Sequence, residues 1–131
     1  MQMLGRQEIT WRKRYEENTQ WFQDQTEKYR SEEIRMIVIF AHSGNSNHPV
    51  YRTIQRFSRK SGMHRIPILY IHGNGHFFKI VQHRKKFARL QVDRGGIAQP
   101  LKVTIGDSSP VKRRDFEFFS GLVQVARKWD V

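Results

Sequence analysis

Cysteine is absent from all 131 residues, so disulfides, thiolate metal ligands and cysteine nucleophiles are excluded at the outset. Acidic side chains are also scarce: 12 Asp and Glu face 24 Lys and Arg, for a formal charge of +12. Such an excess attracts polyanions at long range and is weakened by salt. It equally suits a surface that is only solubilised by charge, or one that has lost an acidic partner. No apolar run approaches the roughly 20 residues needed to span a bilayer, so no membrane span is expected. The N-terminal Met1–Gly5 has no apolar core of signal-peptide length. The Walker-type phosphate loop, HExxH and the nucleophile elbow are missing too. Ser43 and Ser46 lie near a histidine, but no third member of a serine triad is visible.

What is present reads as one domain's worth of α/β (α+β) sequence. Thr10 is a plausible N-cap for a long amphipathic helix. Trp11, Tyr15, Asn18, Phe22, Gln25 and Tyr29 recur at spacings of three and four, and Trp21 widens the stripe. That pattern predicts core packing rather than a ligand-stacking face. Beyond Ser31, the run Met36–Ala41 suits a strand covered on both faces. It stops at His42-Ser43-Gly44-Asn45-Ser46-Asn47, a loop of turn formers. Asn47 or His48 can cap a second helix with Pro49 in its first turn, Val50, Ile54 and Phe57 on its apolar face and Gly62 at its end.

Pro67–Ile71 predicts a second buried strand, which ends in His72-Gly73-Asn74-Gly75-His76. Phe77–Val81, Phe87–Val92 and Leu101–Ile105 follow as short strands, with turns at Arg94-Gly95-Gly96 and Gly106-Asp107-Ser108-Ser109-Pro110. The order predicts a mixed sheet with helices on one face. The stretch 106–131 reads as a tail or a terminal helix: Asp115–Val131 is apolar at Phe116, Phe119, Leu122, Val123, Ala126 and Trp129, after the basic cluster Lys112-Arg113-Arg114.

Chemistry is expected where the two buried strands end. A helix between strands makes a parallel crossover, which brings both polar turns to one edge, the place where ligands gather in open sheets. His42 and His76 then become candidate ligands for a shared divalent metal. Gly73 and Gly75 leave the backbone free to turn tightly there. The competing reading is that each histidine only satisfies backbone groups at a strand end. Neither turn contains Asp or Glu; Asp93 and Asp107, on later strand ends, are the nearest acidic candidates.

At these two turns the sequence resembles the calcineurin-like metallophosphoesterase family. There, a strand ending in a single histidine, as in Val38-Ile39-Phe40-Ala41-His42, precedes a helix and a strand ending in Gly-His-x-His. The matching stretch here is Ile68–His76, closest to a branch in which the turn reads His-Gly-Asp-x-His. Asn18–Trp21, Phe87–Val92 and Pro100–Ile105 extend the similarity over residues 10 to 105.

The resemblance implies the C-terminal part of a four-layer αββα sandwich. It implies two divalent metals, such as Mn, Fe or Zn, and a phosphate-ester substrate for the whole domain. His42, Asn74 and His76 match metal-ligand positions, and His72 lies beside them. Two departures stand out: Asn74 replaces His or Asp, and the N-terminal motifs that carry the bridging carboxylate and the histidine general acid are missing. The residues before Trp11 are too few to hold those motifs, and no catalytic residue can be assigned. The expectation is therefore a C-terminal fragment or degenerate copy of a metal-dependent phosphoesterase, inactive alone. The alternative is a basic module that binds nucleic acid or another polyanion without catalysis, with aromatics among its arginines as at Tyr51-Arg52 and Arg56-Phe57.

Overall fold

The computed structural model describes residues 2–30, 32–45, 47–59, 66–106 and 116–127, with residues 2–8, 83 and 84 described by their backbone alone. Ser31, Ser46, Gly62, the turn residues 107–110, the cluster Lys112-Arg113-Arg114 and Trp129 lie outside the described residues. The chain is mixed α/β, with two helices and two sheets of four and three strands. No described helix is long and apolar enough to cross a membrane.

Helix α1 (Gln2–Lys28) starts well before Thr10. At a rise of 1.5 Å per residue it is about 40 Å long, whereas α2 (Pro49–Phe57), its helical neighbour, is about 14 Å. The shorter helix cannot cover the longer one. Phe22 is buried, edge-on to Phe57, and Tyr15 packs edge-on against His48, but Trp11, Trp21 and Tyr29 are exposed. The aromatic stripe expected to form core is thus core only around its middle.

Helix α2 begins as its residues dictate. His48, in extended conformation, is the N-cap and accepts a hydrogen bond on Nδ1 from the Val50 amide, and Pro49 occupies the first turn. Tyr51, Ile54 and Phe57 turn inward.

The larger sheet has the order β1-β2-β4-β3. Strands β1 (Ile37–Ala41), β2 (Ile68–His72) and β4 (Phe87–Gln91) run parallel, and β3 (Lys79–Arg84) pairs antiparallel with β4. Every residue of β2 is buried, as its unbroken apolar run requires. Strand β1 departs from the expectation of a strand covered on both faces. It is the edge of the sheet, and Phe40 is 78% exposed.

The smaller sheet, β5-β7-β6, is antiparallel throughout: β5 (Lys102–Ile105), β6 (Phe116–Phe118) and β7 (Val123–Ala126). Its last two strands occupy the stretch for which a terminal helix was a sequence expectation. Phe119, Ser120 and Gly121 all take positive φ, which no right-handed helix tolerates, and the chain reverses there instead.

Three layers result. Ile68, Tyr70 and Phe87 face the helices with Phe22, Tyr51, Ile54 and Phe57. Leu69, Ile71, Ala88 and Leu90 face Phe118, Val123 and Val125 of the smaller sheet. Helices therefore cover one face of the mixed sheet, as expected, and a second sheet covers the other.

Candidate functional site

Ala41 is registered against His72 and His72 against Gln91, so β1, β2 and β4 finish together at one edge. His42 follows directly on β1, and the Gly73–His76 turn follows directly on β2. The parallel crossover read from the sequence is present, and it brings both histidine-bearing turns to that edge. His42, Asn74 and His76 are exposed there, and His72 is buried. Asn74 and His76 sit at φ 66° and 61°, on either side of Gly75. A left-handed non-glycine residue costs on the order of 1 kcal/mol, least for Asn, so this turn carries strain that regular strand ends lack.

On the helix side of this edge a polar cluster pins both turns down. Tyr70 donates from its hydroxyl to the Ser43 carbonyl at 2.6 Å, and the Arg89 guanidinium donates to the Gly44 carbonyl. These two bonds hold the loop after β1. Gln91 donates from its amide to the Phe77 carbonyl at 2.8 Å, which holds the turn after β2. Each turn has glycine where a neighbour comes closest. A Cβ at Gly44 would lie 2.3 Å from the His72 ring, and one at Gly75 would lie 2.1 Å from the Gln91 amide. Gly44 and Gly75 are thus glycines because side chains of β2 and β4 occupy the space a side chain would need.

His72 is only 4% exposed. Its Nδ1–H donates to its neighbour's carbonyl, Gly73 O, at 3.0 Å, which leaves Nε2 as a bare acceptor, buried against Gly44 and without a partner among the described residues. Burial lowers its pKa, the Arg89 charge lowers it further, and the bond to Gly73 opposes both. The ring is therefore neutral near pH 7. Burial also pushes the Tyr70 hydroxyl up to about 12, with help from Tyr51 and against the pull of Arg89. Tyr51 is raised for the same first reason. Arg89 forms no ion pair among the described residues; its charge is set among two tyrosines and a neutral imidazole.

The metals implied by the family resemblance can be tested against these residues. The set is three imidazoles and one amide, with no carboxylate to bridge two cations. Among the described residues no three His, Cys, Asp or Glu side chains gather as a metal group. Asp93 is engaged by Arg127 at 3.2 Å and 3.3 Å, and Asp107 lies outside the described residues. These residues do not by themselves make a two-metal centre.

The other face of the same edge is apolar. A cavity of about 500 Å³ lies there, lined by Phe40, Ile71, Leu90, Val92, Leu101 and Val103, with Asp93 and Arg94 among its polar lining. The His72 ring is on the helix side of the sheet with Tyr70, and His72 and Gly73 also line the cavity, so cavity and polar cluster meet at the end of β2.

Sequence reasoning reached the histidines and missed Tyr70, Arg89 and Gln91. A usable signal was present in Phe87-Ala88-Arg89-Leu90-Gln91. Period-two alternation sets Arg89 and Gln91 on one face, and a long cation on a half-buried strand asks for a partner. No family model, curated protein or solved structure matches this chain.

Proposed function

We propose that this chain is the histidine-presenting, C-terminal part of a calcineurin-like metallophosphoesterase domain. On this reading His42, Asn74 and His76, with His72 beside them, are its contribution to a centre for two divalent metals, such as Mn, Fe or Zn. The carboxylates come from beyond the described residues, and the chain alone does not hydrolyse phosphate esters. The observation that carries this reading is topological. His42 and the Gly73–His76 turn leave the same edge of two adjacent parallel strands, and both turns are held from behind by Tyr70, Arg89 and Gln91. Left-handed Asn74 and His76 support it, since strain of this kind collects at functional turns. On this reading the observed helix, sheet and sheet layers are three of the four layers of an αββα sandwich.

The test is calorimetric titration of the purified chain with Mn²⁺, alongside hydrolysis of bis(p-nitrophenyl) phosphate in the same buffer. Weak Mn²⁺ binding that disappears in His42→Ala and in His76→Ala, with no turnover, is the expected outcome. Mn²⁺ binding indifferent to both substitutions overturns the assignment, and metal-dependent turnover by the chain alone overturns its incompleteness.

A polyanion-binding module is the second reading, and one surface favours it. Arg52, Arg56 and Arg59 are exposed along α2 and its end at spacings of four and three, and none forms an ion pair among the described residues. Binding of single-stranded DNA that falls steeply with salt and is lost when these arginines become glutamine would favour it over the first.

A further inference from the structure

The two sheets are closed against each other on one side and open on the other. On the closed side Phe78, just before β3, meets Phe116 of β6 with ring centroids 5.3 Å apart, and the Arg127 guanidinium covers Phe78 at 4.4 Å. On the other side the edge strands are β1 and β5, and both border the 500 Å³ cavity, through Phe40 and Ala41 and through Leu101 and Val103. The segment 93–101, between β4 and β5, contributes the rest of the lining on this side. The cavity rim carries exposed Phe40, and Ile105 of β5 is 47% exposed.

The edge of β1 is also a hydrogen-bonding template. Ile37 donates its amide to Pro67, toward β2. In a pleated strand the direction alternates, so the amide and carbonyl groups of Val38 and Phe40 point away from the sheet. Natural edges are usually blunted by lysine, proline or a bulge. Here the outward positions are Val38 and Phe40, in a regular parallel strand.

We propose that this open side receives an acidic polypeptide segment, which adds a strand to β1 and seats an apolar side chain in the cavity beside Phe40. Charge selects the partner. The exposed cation Arg94 lines the cavity, while Asp93, its carboxylate, is held by Arg127. Glu32 and Glu33 lie before β1, at the end remote from the cavity. A second copy of this chain, itself at +12, is repelled, whereas an acidic strand is attracted to the rim and satisfies the outward amides together. The proposal stands on the edges and the cavity and does not rest on the phosphoesterase reading.

The probe is a short capped peptide of alternating valine and glutamate, with its valine–lysine counterpart as control. The readout is amide hydrogen exchange of the intact chain, followed residue by residue by NMR. The acidic peptide is expected to slow exchange at Val38 and Phe40 by about tenfold or more, and the lysine peptide to leave it unchanged. Phe40→Pro removes an outward amide at an edge position where proline is tolerated, and is expected to weaken peptide binding on the order of tenfold. Phe40→Ala keeps that amide and is expected to weaken binding by only about threefold, still with protection at Val38. The Ala variant and the unaltered chain keep the test decisive if the Pro variant does not fold. Absence of protection by the acidic peptide, equal protection by both peptides, or self-association through Val38 and Phe40 in sedimentation and exchange overturns the proposal.

Discussion

On the helix side of the larger sheet, the registered rows nearest the strand ends pair Tyr70 with Arg89 and His72 with Gln91; on the sandwich side they pair Leu69 with Ala88 and Ile71 with Leu90. The same two strands thus present a polar edge to one layer and an apolar edge to the other. The polar edge is specified by direction. Each group there has one geometry in which it is satisfied, and those geometries fix the two histidine-bearing turns. The apolar edge is specified by volume, and volume is left unfilled, as the cavity shows. Positioning is therefore expected to depend on the helix side and global stability on the sandwich side.

Truncating the sandwich side separates the two roles. Leu90 is fully buried and borders the cavity. Leu90→Ala enlarges a space that already exists, and should cost about 2–5 kcal/mol in urea unfolding. The chemical shifts of His42 and His76 should change little, because Tyr70, Arg89 and Gln91 hold both turns from the helix side. A cost below about 1 kcal/mol would show that this face is loosely held and that the contrast between the faces is wrong.

The converse change adds one methyl group on the helix side. Gly44→Ala places Cβ on the buried His72 ring. A cost of about 1–3 kcal/mol is expected, together with displacement of the loop that carries His42. Most of that cost should vanish in a His72→Ala background, because the clash is with the ring. Double-mutant coupling of at least about 1 kcal/mol checks this. Additive effects would mean that Gly44 is required by its backbone and not by its neighbour.

Much of this arrangement was legible in the residues, and each failure has its own physical cause. Met36–Ala41 and Pro67–Ile71 read correctly as strands because both are short, apolar and bounded by polar turns; His48-Pro49 read as a helix start because both residues have a local reason to be there. The chain end failed because Phe116, Phe119, Leu122 and Ala126 happen to fit a helical period. The stronger signal was Val123 and Val125, two apart and both fully buried, after a glycine at φ 84°. Pairing with β5 overrode a local pattern that could be read either way. Trp11 and Trp21 failed for a different reason, since nothing in their own spacing reveals that α2 is too short to cover them. The polar cluster as a whole was harder to read, because its side chains come from two strands, β2 and β4. The Tyr70–Arg89 and His72–Gln91 rows exist only once register is known.

The subtlest way to sharpen the contrast between the faces is by pH, since among the described residues the helix side holds a buried titratable ring and the sandwich side of β2 and β4 holds none. In the unfolded chain His72 takes a proton near its ordinary pKa of 6.5, and in the folded chain it does so only at lower pH, first because it is buried and then because Arg89 is near. As pH falls below about 6.5 the unfolded state therefore binds the proton first, and folding stability declines until the folded pKa is passed. One proton sets the limit, so the slope from His72 cannot exceed about 1.4 kcal/mol per pH unit. Above 6.5 both states are neutral at this residue and its contribution is flat. His72→Phe keeps a planar ring and removes the proton site. The difference in unfolding free energy between the parent chain and this variant should be constant above pH 7 and should shift in favour of the variant between pH 6.5 and 5. Other histidines and carboxylates titrate in both proteins and cancel in that difference. A flat difference across the whole range would show that the ring takes up its proton as readily when folded, and that the polar edge is open to water.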